Sequence, residues 1–70
     1  MPKLSDAIVR DNRDKRRAME QARRALKGVR GFDGDERQVN IEIDGRWWWV
    51  GFALANRNWQ IISVERWRGA

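Results

Sequence analysis

The dipeptide Asp44-Gly45, set between two runs that favour β-strands, limits what this chain can fold into more than any other feature. Asp-Gly suits the two central positions of a type I′ turn, whose twist matches the strands it joins, and so predicts a tight hairpin. From Gln38 to Ile43, the apolar Val39, Ile41 and Ile43 alternate with polar residues at the period of a half-buried strand. A two-residue turn then sets Ile43 opposite Arg46, Ile41 opposite Trp48 and Val39 opposite Val50. The second strand, Arg46 to Leu54, sends Trp48, Val50, Phe52 and Leu54 to the core side and Trp47, Trp49, Gly51 and Ala53 to the other.

A second turn falls at Asn56-Arg57-Asn58, and a third strand runs from Trp59 to Trp67. Ile61 and Ile62 are consecutive, so the facing of this strand depends on loop length. A two- or four-residue loop places Glu65 beside Trp48 in the core. A three-residue loop with Asn58 left-handed places Ile62 and Val64 there instead, and is the expectation adopted. It leaves Trp59, Ile61, Ser63, Glu65 and Trp67 on the outer face with Trp47 and Trp49, and with Gln38, Asn40 and Glu42 of the first strand.

Ahead of the sheet, Ser5 to about Lys27 reads as a helix. Ser5 is placed as N-cap, Leu4 and Val9 as a hydrophobic staple, and Gly28 or Gly31 at the left-handed C-cap position. Positions at 100° intervals gather Leu4, Ala7, Ile8, Ala18, Met19, Ala22, Ala25, Leu26 and Val29 on one face, interrupted by Asp11 and Lys15. The stripe is clean only from Ala18 onward, so the first two or three turns are expected to overhang the sheet. One helix can cover one face of a three-stranded sheet. The expected fold is therefore α+β in one domain, residues 1–70: a basic helical segment over 5–30, packed on one face of an antiparallel meander over 38–67. Element order alone resembles the first part of a double-stranded-RNA-binding domain, whose closing helix and basic helix-start motif have no counterpart here.

Charge divides the chain unequally. Residues 1–31 carry ten basic side chains against Asp6, Asp11, Asp14 and Glu20, a net of +6, while the remainder has five Arg and six carboxylates, a net of −1. The whole +5 thus comes from the helical segment. Arg10, Arg13, Arg16, Arg17, Arg23, Arg24, Lys27 and Arg30 form its outer face, broken only by Glu20. Part of this is ordinary helix chemistry, since Asp6 with Arg10, Asp14 with Arg17 and Glu20 with Arg24 have stabilising spacing. Three pairs leave most of the Arg without a partner, and Arg suits bidentate recognition of phosphate or carboxylate.

Composition narrows the chemistry further. His, Cys, Tyr and Thr are absent, so Ser5 and Ser63 are the only hydroxyl nucleophiles and no His can activate them. Asp33, Asp35 and Glu36 cluster in a Gly-bounded loop that reads as a solvated turn. No catalytic residue, metal ligand, cofactor or small-molecule substrate is assigned. Seventy residues without disulfides bury a small core, which leaves oligomerisation or partner binding as an aid to stability. The longest apolar run, Trp47 to Ala55, is too short to cross a bilayer and no signal-peptide pattern opens the chain, so a cytoplasmic, membrane-free protein is expected.

These features suggest a non-enzymatic regulatory binding protein with two separate surfaces. The Arg-rich helix is expected to contact nucleic acid or a nucleoprotein. The sheet face of Trp47, Trp49, Trp59, Ile61 and Trp67, with Glu42 and Glu65, is expected to mediate protein contact, because a contiguous Trp patch marks an interface. If the four outer Trp instead cover one another and the stems of Arg, that face only stabilises the sheet. The alternatives are an inhibitor of the phage or mobile-element type acting by protein contact alone, or a homo-oligomer joined through the Trp face.

Overall fold

A computed structural model of the chain describes residues 4–67, with side chains from Val9 onward. It is an α+β fold: helix α1 (Leu4–Ala25) is followed by strands β1 (Glu36–Ile43), β2 (Arg46–Ala55) and β3 (Asn58–Arg66) in one antiparallel sheet of order β1-β2-β3. The helix lies on one sheet face, and among the described residues no element covers the opposite face.

Helix α1 begins one residue earlier than the sequence suggests and ends sooner. Ser5 falls inside its first turn, and the Ser5 cap and the Leu4–Val9 staple involve side chains outside the described residues. Gly28, at φ 81°, is the residue that turns left-handed after the helix. Lys27 N–H donates to the Arg24 carbonyl at 3.2 Å and Val29 N–H to that of Leu26 at 3.0 Å, so the last carbonyls keep partners. Residues 26–30 therefore form the exit from the helix and not its final turns.

The buried row of the helix and its exit is Asp14, Ala18, Ala22 and Leu26, a strict spacing of four. The helix seats one i±4 ridge on the sheet, and that ridge winds away from the axis. This corrects the sequence wheel: Ala25 is exposed, Val29 stands at the rim, and Asp14 is almost fully buried. Asp11, placed as an interruption, instead faces the sheet, where Arg46 and Arg66 each approach its carboxylate to 3.4 Å. Ahead of it Val9 is 63% exposed, in keeping with a helix start that projects past the sheet. Ala18 and Ala22 have small side chains, so the helix backbone can come close to a sheet face that carries Trp48 and Phe52.

The first hairpin has the register read from Asp44-Gly45: Ile43 pairs Arg46, Ile41 pairs Trp48 and Val39 pairs Val50. Asp44 and Gly45 both have positive φ, as a type I′ turn requires. The second hairpin departs from expectation. Its loop has two residues, Asn56 and Arg57, both with positive φ, and Asn58 already belongs to β3. The three-residue loop is thus overturned, yet Glu65 does not enter the core, because the pairing shifts between Gly51 and Phe52.

Phe52 pairs Ile61 and Gly51 pairs Ser63, leaving Ile62 as the extra residue of a β-bulge. Up to the bulge Trp59 and Ile61 face the helix side. Beyond it the alternation is reset, so Val64 remains on the core side while Ser63, Glu65 and Trp67 face outward. Ile62 is 56% exposed. Gly51 makes the bulge feasible, since a Cβ there would lie 2.4 Å from the Ser63 Oγ. Three expected placements are accordingly corrected: Trp59 and Ile61 pack against the core and Ile62 does not.

Candidate nucleic-acid interface

Arg10, Arg13, Arg16, Arg17, Arg23, Arg24, Lys27 and Arg30 are all exposed. They stand on the helix and its exit. Among the described residues the ion pairs on this side involve Arg17, 3.8 Å from Asp14 and 3.6 Å from Asp44. Glu20 and Arg24 do not come within ion-pair distance, and the pair of Arg10 with Asp6 lies outside the described side chains. Arg13, Arg16, Arg23, Arg24, Lys27 and Arg30 thus have no carboxylate partner among the described residues.

The helix exit and the tip of the second hairpin meet to form a groove of about 550 Å³. Arg23, Arg24, Lys27 and Arg30 come from the helix side and Arg57, Asn58 and Trp59 from the hairpin, with Leu26 and Phe52 at its floor. Five cations and no carboxylate line it. The helix C-terminus opposes anion binding there, but a macrodipole equals only about half an elementary charge against five full ones. A smaller concavity beside it shares Arg30 and Arg57 and adds Asp33 at its edge.

Trp59 is held rigidly in this groove. Its indole Nε1–H donates to the Val29 carbonyl at 3.0 Å, and the Arg37 guanidinium stands 5.9 Å from its ring centroid. Gly31 lies close by, where a Cβ would come within 3.5 Å of the ring. The neighbouring loop is fixed by Asp35, whose carboxylate accepts from Phe32 N–H at 2.9 Å. Asp35 therefore serves the turn. Among the described residues no three carboxylates converge where a metal ion could sit.

Arg57 was not among the basic residues singled out from sequence, because the longer loop hid its place. Its φ of 66° puts an arginine where the first hairpin has Gly45 at 81°. A left-handed backbone costs a residue with a Cβ about 1–2 kcal/mol. Such strain persists where the surrounding structure imposes it, and it concentrates at functional sites. The sequence signal is Asn-Arg where Asn-Gly is the ordinary turn pair.

The opposite sheet face carries the second set of residues. Trp47, Trp49 and Trp67 surround a shallow concavity with Asn40, and the rings of Trp49 and Trp67 stack at 6.4 Å with 13° between planes. Trp67 N–H donates to the Trp47 carbonyl at 2.9 Å, which extends the ladder to the end of this face. Glu42 pairs Trp47 and Glu65 pairs Trp49, so both carboxylates flank the indoles as expected. The sheet thus divides the expected patch: Trp47, Trp49, Trp67, Glu42 and Glu65 share the outer face, whereas Trp59 and Ile61 lie on the helix side.

Against models of protein families, curated proteins and solved structures, the chain has no match. Among the described residues no helix is long and apolar enough to cross a membrane.

Proposed function

We propose that this chain is a non-enzymatic regulatory protein that binds the phosphate backbone of nucleic acid, free or within a nucleoprotein, and presents its Trp face to a protein partner. The observation that carries the first half is the groove of Arg23, Arg24, Lys27, Arg30 and Arg57, which holds five cations without a carboxylate. Charges of one sign in a concave site focus the potential on an incoming anion. Arg supplies planar forks that match phosphate oxygens in pairs.

Along the helix the basic face continues past Glu20 into Arg16 and Arg13, so a polyanion lying along it meets two further cations two turns beyond Arg23. A backbone reader of this kind favours phosphate over base sequence. Trp59, bonded to Val29 and covered by Arg37, is better suited to form a fixed wall than to intercalate.

Binding of a labelled oligonucleotide across a salt series tests this reading. Affinity falls with log-log slope about −0.7 per phosphate contacted for a single strand and about −0.9 for B-form duplex. Five contacts predict slopes near −3.5 and −4.5, and Arg23→Gln with Arg24→Gln lowers the magnitude by about two contacts. Binding absent at low salt, or insensitive to salt, refutes it.

A further inference from the structure

From the charge pattern of the two exposed faces we infer that the Trp face of one copy receives the basic helix of another. This contact and nucleic acid then compete for the same arginines. The inference rests on the proposed function only for the competition, since association itself needs no nucleic acid.

Among the described residues the outer sheet face carries Glu36, Glu42 and Glu65 and no cation, because Arg37, Arg46 and Arg66 all lie on the helix side. Those three carboxylates have no ion-pair partner among the described residues. The face therefore offers indole surfaces beside unpaired carboxylates, the combination that holds a guanidinium by cation-π and ionic contact together. Trp47 and Trp67 remain 42% and 46% exposed. The complement lies on the other side of the same molecule.

The dimensions agree. Glu42 and Glu65 sit on the two edge strands, one pleat repeat apart along the strand direction. Strand spacing of about 4.8 Å and rise of about 3.3 Å per residue put their Cα atoms about 12 Å apart. Arg16 and Arg23, seven residues apart on one helix face, are separated by about 10.5 Å. A helix laid across the outer face can set both arginines against both glutamates, with Trp47 and Trp49 of the sheet and Glu20 of the helix between them. The inner face already accepts a helix of the same width with the charges reversed: there the carboxylate of Asp11 comes from the helix and Arg46 and Arg66 from the sheet.

Because donor and acceptor faces are on opposite sides, the contact is heterologous and adds copies head to tail instead of closing as a two-fold dimer. Light scattering should show a mass that rises with concentration above the 8.3 kDa monomer without settling at a dimer. An equimolar oligonucleotide should return it to a single copy per strand site.

Two double variants test the contact, Glu42→Arg with Glu65→Arg and Arg16→Glu with Arg23→Glu. All four positions are exposed, and circular dichroism confirms the fold of each variant. Each variant alone should remain at the monomer mass, and mixing them should restore association, because each then meets a face of opposite sign. Wild-type protein that stays monomeric at all concentrations overturns the inference. So does association that survives either double charge reversal, which would indicate Trp packing between sheets. If association and rescue by mixing are seen while oligonucleotide binding is absent, the contact stands and the nucleic-acid function falls.

Discussion

Asp14 gives the sharpest test of how this small core is built. It is 1% exposed, on the ridge it shares with Ala18, Ala22 and Leu26, and its Oδ1 has no hydrogen-bond partner. The nearest cation, Arg17, is 3.8 Å away, half exposed and shared with Asp44. An unsatisfied buried polar group costs about 1–3 kcal/mol, and exchanging Asp for Ala inside a helix gains up to about 0.7 kcal/mol. Against this, the lost pair is worth at most about 1 kcal/mol, and a void of about 30 Å³ costs about 0.7 kcal/mol. Asp14→Ala should therefore stabilise the protein by about 1 kcal/mol, raising Tm by about 4–8 °C. Urea unfolding followed by Trp fluorescence should show a higher midpoint with unchanged slope. The control is Asp11→Ala, which leaves Arg46 and Arg66 without their shared carboxylate and should lower the midpoint. A midpoint that falls for Asp14→Ala refutes the reasoning and shows that the carboxylate has a partner in solution.

The bulge makes neighbouring isoleucines respond in opposite ways: Ile61→Asp should cost about 3 kcal/mol or more, as an unpaired charge against the core does, while Ile62→Asp should stay within about 0.5 kcal/mol. Equal costs in denaturant titrations would argue against the register. Arg57→Gly relieves the left-handed backbone but loosens the unfolded chain, for a net gain of about 0.5–1 kcal/mol. The same change removes one phosphate contact and should lower the magnitude of the salt slope by about one. Stability and affinity moving together would show that Arg57 is not held under strain for binding.

The parts of this fold legible in the sequence are those set by neighbours in the chain. Asp44-Gly45 fixed the first hairpin because turn geometry and apolar alternation are both local, and they agreed. The third strand was not legible in the same way. Its facing depends on the space that Gly51, in another strand, leaves for Ser63, and on the alternation that Ile62 interrupts. The signal was present as a lone Gly inside a strand pattern beside an apolar doublet, but the doublet alone fits a longer loop equally well. Asp14 was misplaced for a related reason, since a helical wheel assumes that the contact line follows the axis. The basic face was legible from charge alone, whereas Arg57 entered the groove only once the second turn was known to have two residues.

The bulge also decides which side of the sheet receives Glu65, on which the proposed contact between copies depends. With a two-residue turn and unbroken alternation, Trp59, Ile61, Ser63, Glu65 and Trp67 would all face the helix, and Glu65 would be buried beside Trp48. One extra residue at Ile62 lets Trp59 and Ile61 stay with the core and turns Glu65 and Trp67 outward. Trp59 walls the basic groove in either case, whereas Trp67 stacks on Trp49 beside two carboxylates only because of the bulge. A single irregularity in β3 thus spares the core a buried carboxylate and places Glu65, not Arg66, on the outer face, opposite in charge to the helix. This opposition makes each face complementary to the other face of a second copy.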